Sequence, residues 1–130
     1  MIVVGYIADP FGRAALEHGI AEAKLRNSAL HVVNSTTGDA YVDAAFAQPT
    51  EVHDITDRLA NCGEEFELSQ PVGVDAVEEL LKAMDRDDAE LLVIGIRHRS
   101  PVGKLLLGSV SQQLLLECPK PVLAVKPDER

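Results

Sequence analysis

Short apolar runs alternate with helical stretches along the whole of this 130-residue chain. Ile2-Val-Val-Gly-Tyr-Ile7 is β-branched and apolar on both faces, and Ala29-Leu-His-Val-Val-Asn34 is of the same buried type. Glu65-Phe-Glu-Leu-Ser69 alternates apolar and polar residues, as a more exposed strand does; Leu91-Leu-Val-Ile94 and Val122-Leu-Ala-Val125 follow. Between them the spacing predicts four helices. The first covers about 11 to 26, behind Pro10 and Gly12, with Leu16, Ile20 and Ala23 on one face. The second covers 49 to 62, with Val52, Ile55 and Leu59 inward and Gly63 as its stop. The third follows Gly73, with Val77, Leu80, Leu81 and Met84 inward and Asp75, Glu78 and Glu79 near its positive end. The fourth covers 109 to 117 and is ended by Pro119 and Pro121. The order is βαβαβαβαβ. Apolar strands joined by helical crossovers predict a parallel sheet covered on both faces, and right-handed crossovers make it doubly wound. The expected fold class is therefore α/β: a five-stranded parallel sheet in the order 3-2-1-4-5, as one domain over 1–130. Ligands of such sheets sit beyond the carboxyl ends of the strands, where the winding reverses, here between strands one and four.

The segment that follows the fourth strand carries the clearest chemistry. It runs Gly95-Ile-Arg-His-Arg-Ser-Pro-Val-Gly-Lys-Leu-Leu-Leu-Gly108-Ser109-Val-Ser and leads into the last helix. Glycines between a strand and a helix let backbone N–H groups approach a ligand, and a helix start adds unpaired donors and about half a positive charge. Arg97, Arg99 and Lys104 place three of the chain's twelve cations within eight residues, in a protein of net charge −9. The combination fits a phosphate. With 21 acids against 12 bases, general duplex nucleic-acid binding is not expected, since it needs a broad basic face.

Other classes are excluded or left without support. Cys62 and Cys118 are too few for a disulfide framework, and a reduced, cytoplasmic setting is the simple expectation. The N-terminal apolar run has no basic leader, so it does not read as a signal peptide, and no run approaches the ~18 residues that span a bilayer. Neither Gly-x4-Gly-Lys-Ser/Thr nor Gly-x-Ser-x-Gly occurs. A serine, His98 and Asp9 can be assembled into a triad only on paper, and no metal site is expected.

These residues resemble the universal stress protein family. Members typically carry Gly, two residues, Gly, nine residues, then Gly-Ser or Gly-Thr, before a helix and a Pro-Val strand. Gly95, His98 and Gly108-Ser109 reproduce that spacing, and Pro121-Val-Leu-Ala-Val follows. The opening Ile-Val-Val-Gly-Tyr, the Arg-Ala-Ala-Leu-Glu of the first helix and the Leu-His-Val-Val strand are also similar, so the resemblance covers nearly the whole chain. It implies a stress-response protein that binds an adenine nucleotide, ATP, with Mg2+ as a companion ion. The positions matching the nucleotide-binding subgroup are Val32, Ile94, Gly95, Gly108, Ser109, Val110 and Ser111, with Arg97, His98 and Arg99 placed to neutralise phosphates. Two positions depart: Ile7 stands where an Asp is usual, with Asp9 nearby where a Ser is common, and His98 replaces the middle glycine. The resemblance also implies a homodimer through the last strand. Val122, Leu123, Ala124 and Val125 would form an apolar sheet edge that needs covering.

Each feature has a plainer reading beside it. Gly108-Ser109 can be a tight turn with Ser109 as helix cap; Arg97, His98 and Arg99 can be solvated loop residues. His31 reads as a hydrogen-bonded core histidine, His18 and His53 as surface residues, and both cysteines as small core hydrophobes. The alternative function is a nucleotide-free dimeric interaction module of the same fold, favoured by Ile7 and His98. ATP hydrolysis lacks support because no residue stands as a general base.

Overall fold

In the computed structural model of the chain, residues 1–38, 43–96 and 107–127 are described. The elements are β1 (Ile2–Gly5), α1 (Pro10–Arg26), β2 (Leu30–Val33), α2 (Pro49–Ala60), β3 (Phe66–Ser69), α3 (Ala76–Met84), β4 (Leu91–Gly95), α4 (Ser109–Glu117) and β5 (Val122–Val125). All strand pairs are parallel and the order is β3-β2-β1-β4-β5, as the alternation predicts.

Side chains along a strand alternate between faces, and the two faces of this sheet have different covers. Ile2, Val4, Leu30, Val32 and Val93 pack under α1 and α2, against Leu16, Ile20, Ile55 and Leu59. Val3, Val33, Leu92 and Ile94 pack under α3 and α4, against Val77, Leu80, Met84 and Leu114. Fully burying an aliphatic side chain of this size stabilises a fold by about 1.5–3 kcal/mol, so these layers, not aromatics, hold the domain. The helices on each face follow the winding: α1 and α2 lie on one side, α3 and α4 on the other, and the direction reverses between β1 and β4.

Several element ends differ from the expectation by a residue or two. β1 ends at Gly5 rather than Ile7, although the Tyr6 amide still donates to the Val33 carbonyl at 2.9 Å. α2 ends at Ala60, with Asn61 as its C-cap, and Gly63 takes a positive φ of 87° two residues beyond that cap. The third strand is the exposed one expected: Phe66 and Glu67 face solvent and Leu68 is half-buried.

Candidate functional site

The chain reverses its winding at the carboxyl ends of β1 and β4, and a cleft of about 200 Å³ opens there. Its floor is Gly5 at the end of β1, Tyr6 and Ile7 after it, and Ile94 and Gly95 of β4. The starts of three helices close it: Phe11 and Gly12 of α1, Ala76 of α3, and Val110 and Ser111 of α4. Val33 and Ser35 come from the end of β2, while Leu80 and Leu114 reach up from the core.

Two glycines bring α1 into this arrangement. A Cβ on Gly12 would sit 1.8 Å from the Ile7 carbonyl oxygen, and one on Gly95 would sit 2.2 Å from the Phe11 carbonyl oxygen. Both contacts involve backbone that cannot swing aside. Gly95 is therefore required by the protein's own packing, whatever else it meets. Gly108 differs: a Cβ there would meet nothing within 4 Å.

The three helix starts differ in charge. Asp9 caps α1, its Oδ1 accepting from the Gly12 amide at 2.9 Å. Asp75 caps α3, its Oδ2 accepting from the Glu78 amide at 3.1 Å, and Glu78 and Glu79 lie in the first turn. At α4 the cap position is Gly108, with no side-chain cap and no acid in the first turn. The Gly108 carbonyl takes the first helical bond, from the Gln112 amide at 2.9 Å. The amides of Ser109, Val110 and Ser111 keep no partner among the described residues. The expectation that Ser109 caps the last helix is thus corrected: Ser109 is the first helical residue, where its side chain cannot reach the N2 and N3 amides.

Of the sequence-derived site residues, Ile7, Ile94, Gly95, Val110 and Ser111 line the cleft together. Gly108 and Ser109 lead into it as exposed residues at the start of α4. Val32 does not belong to it: its side chain is fully buried under α1 and α2, and Val33 faces the cleft instead. Asp9, read as nucleotide-proximal, spends an oxygen on capping α1 and is absent from the lining. Arg97, His98, Arg99 and Lys104 lie outside the described residues. Val122, Leu123 and Ala124 are half-buried and Val125 is buried on β5, a sheet edge.

Asn34 supports the cleft and was not singled out from the sequence. It is 1% exposed. Its amide donates to the Tyr6 carbonyl (2.9 Å) and the Ala45 carbonyl (3.0 Å), and its oxygen accepts from the Ala47 amide (2.7 Å) and Gln70 (3.1 Å). One saturated side chain thus ties the end of β1 to the loop after β2 and to the segment after β3. A polar residue ending a buried apolar strand was the available signal. The Tyr6 hydroxyl points away from the cleft into the α1–α2 layer. It donates to Glu51 Oε1 at 2.5 Å, and burial together with that carboxylate raises its pKa.

His31 bonds as expected through Nε2, 2.9 Å from Ser69 Oγ, but its buried Nδ1 has no partner, and burial lowers its pKa. His18 and His53 are exposed, Cys62 is buried and Cys118 half-buried. Among the described residues no group of three or more His, Cys, Asp or Glu could hold a metal ion, and no helix is long and apolar enough to cross a membrane.

Fold and cleft together define a class: a doubly wound α/β domain whose switch point is entered by one uncapped helix start. The profile of the universal stress protein family matches residues 1–126, and the chain belongs to that family. A universal stress protein of Mycolicibacterium smegmatis (strain ATCC 700084 / mc(2)155) is 74% identical over 127 residues, covering 98% of each chain. The solved universal stress protein from Archaeoglobus fulgidus is 32% identical, with a TM-score of 0.77, and covers 96% of this chain and 97% of its own. The universal stress protein from Archaeoglobus fulgidus in complex with dAMP is 24% identical, with a TM-score of 0.68 and 96% of each chain covered, a likeness of fold.

Proposed function

We propose that this chain binds an adenine nucleotide, ATP, in the cleft between β1 and β4, with the phosphates on the open start of α4. The observation that carries this reading is the state of that helix start. Of the three that meet the cleft, α1 and α3 are capped by their own carboxylates, while α4 presents three amides without a partner among the described residues and no acid in its first turn. Unpaired N–H groups and the positive end of the helix favour an anion. The dAMP complex of a protein of the same fold and family supports a nucleotide as the anion's source. In this reading Arg97, His98 and Arg99 neutralise phosphate charge, and Mg2+ arrives with the phosphates. The test is chromatography and mass spectrometry of nucleotide released from freshly purified protein, joined to calorimetric titration. Bound adenine nucleotide, or saturation below millimolar ATP, is expected. An empty protein with no heat at millimolar ATP contradicts the reading.

The same family fold is proposed to pair through β5 as a homodimer. β5 is an edge of the sheet, and Val122–Val125 carries no charge. The other edge, β3, carries Glu67 and is preceded by Glu64 and Glu65, which repel a second copy. Leu115 and Leu116 of α4, 38% and 78% exposed, add apolar surface close to β5 in sequence. Leu123→Lys is expected to halve the mass read by light scattering; an unchanged dimer mass removes this interface.

A second reading, a nucleotide-free dimeric interaction module, is favoured by one observation. Gly95 is explained by the Phe11 backbone alone, without a ligand. The nucleotide-content measurement separates the two.

A further inference from the structure

The chemistry of the cleft wall points beyond the presence of a nucleotide to the kind of sugar it accepts. This inference rests on the proposed binding site. Among the described residues that line the cleft, no side chain is a carboxylate or an amide. Tyr6 turns its hydroxyl away to Glu51. The side-chain hydrogen-bonding groups left are the hydroxyls of Ser35 and Ser111, at the end of β2 and on α4, neither of which has a partner among the described residues. The end of β1 instead presents Ile7, an aliphatic side chain 40% exposed at the cleft.

With phosphates on the amides of Ser109–Ser111, the next part of a nucleotide is its sugar. It meets the walls beside the α4 start: Ile7, Ile94 and Gly95, at the ends of β1 and β4. Doubly wound sites that select ribose set a carboxylate against the sugar to accept from its hydroxyls. A site built to bond a hydroxyl rejects the analogue lacking it by large factors, because its own polar group is left unpaired; an apolar wall rejects neither strongly. We propose that Ile7 makes this a site indifferent to the sugar's 2′-hydroxyl, so that nucleoside and 2′-deoxynucleoside phosphates bind alike.

The experiment is calorimetric titration of the full chain with ATP and with dATP, a pair matched in base and phosphates. The two dissociation constants are expected to agree within about fivefold, far short of the roughly 10⁴–10⁵-fold by which a site built to bond a hydroxyl rejects the analogue lacking it. A dATP constant ten or more times weaker than that for ATP overturns the inference and leaves the nucleotide site standing. Failure of both ligands overturns the inference and the site together. Ile7→Asp supplies the missing acceptor. Its charge weakens both ligands, but the ratio of the two constants is expected to move at least tenfold in favour of ATP. Ile7→Asn, which adds polarity without charge, is expected to move it in the same direction. Circular dichroism melting confirms folding, which the exposure of Ile7 favours. A ratio unchanged in both folded variants removes Ile7 from the role.

Discussion

At the start of α3, Asp75 accepts from the Glu78 amide, and two glutamates follow in the first turn; at the start of α4, Gly108 holds the same position and no acid follows. Both helices lie on one face of the sheet, and both starts reach the same cleft. The first satisfies one of its orphan donors with its own aspartate and balances its positive end with acids of its own. Among the described residues the second does neither. Because α1 is also capped by its own aspartate, the start of α4 is, among the described residues, the helix start that most favours a negative ligand. The same contrast recurs at the sheet edges, where β3 carries its own glutamate and β5 carries none. In both cases the surface without an acid of its own is the one proposed to meet a partner.

The most severe challenge to the contrast is to make α4 resemble α3. Gly108→Asp places a carboxylate at a cap position that has room for it and whose extended backbone any residue adopts. ATP affinity is expected to fall about 100-fold, or about 2.7 kcal/mol. Stability should hold or rise by a few tenths of a kcal/mol, since Gly→Asp at a cap is mildly favourable. Unchanged titration with a folded variant breaks the comparison. The converse change sharpens it: Asp75→Ala removes the cap of α3 and is expected to cost about 1 kcal/mol in urea unfolding, while leaving ATP affinity within a few-fold. The smallest effect is far from the cleft. The folded pKa of His31 lies below its ordinary value because burial disfavours the charged ring, so the unfolded chain binds the proton more readily. Its contribution is complete above the unfolded pKa near 6.5 and is lost as the pH falls below it. Glu67, 3.9 Å away, moderates the loss, and Arg86 adds to it. His31→Gln is expected to narrow the difference between urea midpoints at pH 7.5 and pH 5.5; an undiminished difference assigns the acid sensitivity elsewhere.

Much of this architecture is legible in the sequence, and the residues that mislead do so for physical reasons. Alternating apolar runs and helical spacings give the element order, because a parallel sheet buried on both faces requires them. The same double burial hides which way each residue points. Val32 and Val33 are both apolar, and only the sheet's register decides that Val33 meets the cleft while Val32 meets α1 and α2. Asp9 before Pro10 carries a helix-start signature that explains it better than ligand contact does. Gly108-Ser109 offers two adjacent cap positions, and spacing does not tell them apart. Ser35, Ala76 and Leu80 enter the cleft from segments distant in sequence, so no local pattern announces them. Asn34 is marked in the sequence as a polar residue ending a buried strand, but its partners in the loop after β2 emerge only from the fold.

Amide chemical shifts read, residue by residue, where the phosphates of an added nucleotide rest. On titrating uniformly labelled protein with ATP, the largest amide shifts should fall on Ser109, Val110 and Ser111, with small changes at Gly12 and Glu78, whose donors are already engaged by Asp9 and Asp75. Largest shifts at Gly12 or Glu78, or no shifts at millimolar ATP, would contradict phosphate binding at the start of α4.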